Sequence, residues 1–230
     1  MGLPVIDVPS FNLTIPGTKK TYKFRPFLVK ENNILTQAVA SESVTNQFNA
    51  TRQIVGNCCM GDINVEALPL YQLQWIFLEL KSRSVGEDQD FILTCGECEA
   101  KINYQMKVTG FEISDLEEKD TKTVMLNDHS GIVFKFPSAE THIQASELSD
   151  MELLVKCIDN IFTEDEVMQV KDISLEELNE FIERCPVKPM NEAIEFFSKV
   201  PTLVHIKEFN CSECGKENRV AINGIEHFFA

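Results

Sequence analysis

The chain has 230 residues, 43% of them hydrophobic, which is enough to bury a substantial core as one or two domains. Its formal charge of −15, from 21 Lys and Arg against 36 Asp and Glu, argues against a nucleic-acid surface, because phosphates would be repelled over most of it. No apolar run approaches a membrane span, and the start Met1-Gly-Leu-Pro-Val-Ile-Asp7 lacks the basic and apolar regions of a secretory signal; a cytosolic setting with reduced thiols is expected.

Residues 1–21 contain Pro4, Pro9, Pro16 and Gly17 among short apolar pieces and read as an extended arm. Such an arm must cover apolar surface, either on its own domain or on a partner or second copy. Tyr22 to Glu31 is a strand-like run that Pro26 confines to an edge or an end. Helices are expected over 31–40 and 45–59. A further one over 69–82 is marked by Leu70, Leu73, Phe77 and Leu80 at helical spacing, with Gly86 as its stop. A β-hairpin over 90–113 follows, then a solvated turn at 115–120 and strands at Val124–Leu126 and Gly131–Phe136.

Three more helices are expected. The first, over 147–162, rests on Met151, Leu154, Val155, Ile158 and Ile161. The second starts at a capping box of Ser174 and Glu177 and stops at Pro186. The third runs over 189–200, with Ile194, Phe197 and Val200 on one face and Pro201 after it. A second hairpin over 203–223 precedes a terminal turn whose Phe228 and Phe229 pack on it. The charge is unevenly spread: 146–184 carries twelve acidic against three basic residues, whereas 1–30 carries five basic residues against Asp7 alone. The acidic stretch is a solubilising surface or a docking face for a basic partner.

The two hairpins carry the chemistry. Each turns through a C-x-x-C: Cys95-Gly-Glu-Cys98 in the first and Cys211-Ser-Glu-Cys214 in the second. A strand, a two-residue spacer and a strand make a zinc knuckle, and two facing knuckles supply the four thiolates of a tetrahedral structural site. The expectation is one structural Zn²⁺ per chain on Cys95, Cys98, Cys211 and Cys214. A redox C-x-x-C, an iron–sulfur centre and two disulfides are the alternatives. His205, just before the second pair, could stand in for a cysteine. Cys58, Cys59, Cys157 and Cys185 lie in apolar helical settings and read as small core residues. The expected fold is therefore α+β: a helical body with a discontinuous zinc-ribbon-like β module formed by two distant C-x-x-C knuckles. Its parts are the arm 1–21, helical parts 31–84 and 146–200, and a ribbon from 90–113 plus 203–224, in one compact unit over 1–230.

Nucleotide-binding glycine loops, H-E-x-x-H and G-x-S-x-G are absent from the sequence, so no enzyme and no small-molecule substrate is expected. The pieces Phe24-Arg-Pro-Phe-Leu-Val-Lys-Glu31, Leu68-Pro-Leu-Tyr-Gln-Leu-Gln-Trp-Ile-Phe77, Lys81-Ser-Arg-Ser-Val-Gly-Glu87, Phe196-Phe-Ser-Lys-Val-Pro-Thr-Leu203 and Gly224-Ile-Glu-His-Phe-Phe229 resemble, in order, the T4-type bacteriophage baseplate protein family. The resemblance runs from about residue 22 to the end and leaves the first 20 residues outside. Members of that family include baseplate hub assembly factors. The resemblance implies a hub assembly factor or chaperone acting through protein–protein contacts with hub proteins in the cytoplasm of an infected bacterium. A stoichiometric component of the virion baseplate is the alternative, and a zinc-ribbon nucleic-acid adaptor a third reading that the charge disfavours. A metal would then be a stabiliser and not the family's activity.

Overall fold

In the computed structural model, residues 6–114, 116, 120–145 and 147–224 are described. The first half of the chain runs β1 (Phe11–Thr14), β2 (Thr21–Phe24), α1 (Val29–Ala40), α2 (Val44–Cys58), α3 (Leu70–Val85), β3 (Asp88–Thr94), β4 (Lys101–Lys107) and β5 (Glu112–Ile113). The rest comprises β6 (Thr121–Met125), β7 (Gly131–Lys135), α4 (Ala139–Gln144), α5 (Asp150–Lys156), β8 (Ile158–Phe162), β9 (Val167–Gln169), α6 (Leu175–Glu183), α7 (Val187–Phe197), β10 (Leu203–Asn210) and β11 (Glu217–Asn223). Helices and small sheets mix in the α+β manner expected.

The fold divides into two compact units. One comprises Met1–Val65, Tyr71–Ser114 and Thr202–Ala230, and the other Glu66–Leu70 and Asp115–Pro201. The first is discontinuous because β5 pairs with β10, which brings the end of the chain back beside residues 112–113.

In the first unit α3 is the central element. Leu73, Ile76, Phe77 and Leu80 are all fully buried, as their spacing predicts, and Gly86 stops the helix at φ +122°. The stretch read as an extended arm contributes one strand of a hairpin. Phe11 pairs with Phe24 and Thr14 with Thr21, and Leu13 and Ile15 are buried in their own unit. The other edge of β2 is covered too: Met60 N–H donates to Lys23 O and Arg25 N–H to Cys58 O. The strand expected over 22–31 ends at Phe24. Pro26 has no N–H to extend it, and by Val29 the backbone is already helical. The junction is held by Glu31, whose carboxylate accepts both Arg25 guanidinium nitrogens at 3.1 Å and the Leu28 N–H at 3.0 Å. Burial alone would raise the Glu31 pKa; the Arg25 hydrogen bonds, the Leu28 N–H and the nearby charges of Arg25 and Lys30 leave it below its ordinary value.

The second unit is an antiparallel sheet in the order β6-β7-β8-β9, with α5, α6 and α7 contributing to its core. Val124, Ile132, Phe134, Ile158 and Ile161 of the sheet pack with Leu154, Val155, Leu178, Ile182, Met190 and Ala193. The helix expected over 147–162 breaks here. It ends at Lys156, and Ile158 and Ile161 belong to a strand. Ile161 pairs with Ile132, Asn160 with Val133 and Ile158 with Phe134, so Asp159 is an extra, bulged residue. The bulge puts Ile158 and Ile161 on the same face at a spacing of three, which imitates a helix. In α7 the buried residues are Met190 and Ala193, and Ile194, expected on the inner face, is 54% exposed. The Ser174–Glu177 capping box forms as expected, with both reciprocal hydrogen bonds present. The expected turn at 115–120 falls largely outside the described residues, as do Phe228 and Phe229.

Candidate metal centre

Both cysteine pairs sit at the tips of antiparallel hairpins. β3 pairs with β4 out to Thr94 and Lys101, and β10 with β11 out to Asn210 and Glu217. The two tips have the same hydrogen-bond pattern. Cys95 N–H donates to Ala100 O (2.9 Å) and Glu99 N–H to Cys95 O (3.0 Å). In the second tip Cys211 N–H donates to Lys216 O (2.8 Å) and Gly215 N–H to Cys211 O (2.9 Å). The residue after each second cysteine turns through positive φ, 59° at Glu99 and 73° at Gly215. Glycine adopts that conformation freely, while Glu99 carries the strain of an L side chain there.

The tips face each other within the first unit. All four ligand sulfurs lie within 4.8 Å of one another, with Cys95 Sγ 3.8 Å from Cys214 Sγ and Cys98 Sγ 3.6 Å from Cys211 Sγ. A disulfide would bring a pair to about 2.05 Å. A tetrahedron of sulfurs about 2.3 Å from a central metal has edges of about 3.8 Å. The donor set thus fits a four-coordinate metal ion. Cys95 and Cys211 are buried, and Cys98 and Cys214 are exposed.

Electrostatics supports the same reading. Backbone N–H groups of Cys98 and Glu97 hold the Cys95 thiol down at about 6, helped by Asn218. The Ala100 N–H would lower Cys98 as well, but proton sharing with Cys214, Cys211 and Cys95, together with desolvation, pushes it up to about 12. Four thiolates at this separation need a cation among them before all can ionise.

Asn218 is the residue that spacing arguments miss. Its Oδ1 accepts the Gly96 N–H at 3.0 Å, and its Nδ2 donates to Lys216 O at 2.8 Å and towards Cys95 Sγ at 3.5 Å. It therefore ties one knuckle to the other across more than a hundred residues of chain. The only trace in the sequence is its place four residues after Cys214, where the first knuckle has Ile102. His205 is engaged elsewhere: its Nδ1 lies 2.9 Å from Gly110 O and its Nε2 3.1 Å from the Tyr104 hydroxyl. Of the other cysteines, Cys58 and Cys157 are fully buried, and burial pushes their thiols up to about 11 and about 12. They behave as small core residues.

A family model described as T4 bacteriophage base plate protein matches residues 8–230. The chain belongs to the T4 bacteriophage base plate protein family. The match begins at residue 8 and not near residue 22, so the β1–β2 hairpin is part of what this base plate protein shares with its family. No curated protein and no solved structure gives a match to the chain. Among the described residues, no helix is long and apolar enough to cross a membrane.

Proposed function

We propose that this base plate protein is an assembly factor for the central hub of a contractile tail, acting through protein–protein contacts and stabilised by one structural zinc ion. The observation that supports a base plate role is the family match over residues 8–230; the assembly role is what the resemblance to hub assembly factors implies. The zinc reading rests on the donor set. Four sulfurs at near-tetrahedral spacing suit Zn²⁺, which takes Cys₄ sites in closed structural form. When bound, the ion would supply a cross-link and charge neutralisation. Cys95, Cys98, Cys211 and Cys214 would hold it, filling all four positions and leaving none for water, so the ion's role would be structural. Asn218 would fix the orientation of Cys95 and the spacing of the two tips.

Infection with a phage lacking the protein tests the role. Base plate hubs should fail to form, and mass spectrometry of purified wild-type virions should find the protein absent. A fixed copy number in the particle would replace the assembly factor with a retained structural component. Elemental analysis of protein purified without added metal should return about one zinc per chain. Iron in its place, or free thiols with no metal, would remove the zinc reading.

A further inference from the structure

The second unit gathers cations where its surface otherwise has few. Of the three basic residues in 146–184, two, Lys156 at the end of α5 and Lys171 just after β9, line one cleft together with Lys135 of β7. The cleft has a volume of about 530 Å³, within the range of ligand-sized sites. Its open apolar surface comes from the half-buried Val170 and Ile173 that follow β9, with Val155, Ile158 and Leu178 nearly fully buried beneath them. Leu175, also lining it, stands 56% exposed.

The charges around it are not balanced. The one acidic group in the lining, Asp159, lies 3.6 Å from the Lys135 ammonium. Glu152, one turn back on α5, feels the Lys156 charge, but its carboxylate is held by the Ser149 N–H and hydroxyl in a capping box. Among the described residues neither Lys156 nor Lys171 is in an ion pair. Two unneutralised ammonium groups thus border an apolar floor in a region that is otherwise strongly acidic.

We propose that this cleft docks a segment of a partner protein that lays apolar side chains on the floor and sets one or two carboxylates against Lys156 and Lys171. The apolar lining makes it a poor seat for a bare phosphate, which needs convergent donors. The acidic surroundings set the upper limit: a long run of carboxylates would be repelled by the neighbouring surface, so the segment carries few. The basic partner that the overall charge suggests would be turned away from this spot. Neither the metal centre nor the hub role is needed for this surface to bind.

The test is a titration of the full-length, isotope-labelled protein followed by NMR. The probe is the peptide acetyl-Glu-Leu-Ile-Glu-amide, raised to millimolar concentration; the comparison is acetyl-Lys-Leu-Ile-Lys-amide. The acidic peptide should shift the methyl signals of Val170, Ile173 and Leu175 and saturate, and the basic one should not. The double variant Lys156→Gln, Lys171→Gln should lose at least tenfold in affinity with an unchanged melting temperature. No shift at these residues with the acidic peptide, or equal binding of both peptides, overturns the proposal. Equal competition by inorganic phosphate overturns it too, since it would mark a simple anion site.

Discussion

Replacing Cys211 by serine removes one sulfur from the metal centre at a buried position, where Cys211 is only 3% exposed. Serine keeps the size of the side chain but is a poor ligand for a soft site. The contact it breaks, Cys98 to Cys211, spans 113 residues of chain. With the second unit still folded, only about 25 residues of that loop are free when the first unit opens, and a metal cross-link then restricts the unfolded chain by about 3 to 4 kcal/mol on the chain-entropy model. The Cys211→Ser protein should therefore lose about 3 to 4 kcal/mol in the first unit. Trp75 is the single tryptophan and lies in α3, so its fluorescence reports that unit alone. Urea unfolding followed by Trp75 fluorescence should move to a clearly lower midpoint. The far-UV signal of the second unit, which has its own core, should move far less. Chelation of the wild-type protein should reproduce the shift. An unchanged Trp75 transition after verified loss of metal would refute the reasoning and make the centre peripheral to folding.

Asn218→Ala strands the Gly96 N–H and frees Cys95, and it should weaken metal retention by about ten- to a hundredfold; competition with a chromophoric chelator measures this, and equal retention would count against the role given to Asn218. Glu31→Gln leaves the Arg25 guanidinium short of its carboxylate and should cost about 3 kcal/mol at neutral pH. Because the folded-state pKa of Glu31 is depressed, its contribution is present above the ordinary value of 4.5 and is lost as pH falls through the lower folded value. The gap in stability between wild type and Glu31→Gln should narrow below pH 4.5, and a gap constant from pH 7 to pH 3 would refute the assignment.

The clustering of the four cysteines was legible because a metal site would demand a fixed spacing of residues of one chemical kind. Two C-x-x-C pairs in strand settings state that demand openly, even with more than a hundred residues between them. Asn218 was not legible, since a single amide on a strand has no partner pattern that its sequence neighbours reveal. The capping box at Ser174 and the apolar stripe of α3 were legible for the same reason as the cysteines: each is a local rule with a fixed step. The failures lie where distant pairing overrides local period. Asp159 bulges out of β8 and converts a step of two into a step of three, so Ile158 and Ile161 looked helical. Phe11 to Ile15 read as an extended arm whose covering surface was left open, because its partner strand, and the segment of residues 58–60 covering that strand, are visible only in three dimensions.

The discontinuity of the first unit has a consequence for how the protein is made. The ribosome delivers Cys95 and Cys98 first, and at 5–20 residues per second roughly 6 to 23 s pass before Cys211 emerges 113 residues after Cys98. During that interval the β3–β4 hairpin stands without its partner, and an isolated two-stranded hairpin is barely stable in water. Meanwhile Asp115–Pro201, most of the second unit, are translated in between and can close their core; the unit's other piece, Glu66–Leu70, is already made. The four-cysteine cluster can thus form only once Cys214 has been made. A chain broken off before Cys211 keeps Cys95 and Cys98 without the two cysteines that complete their cluster.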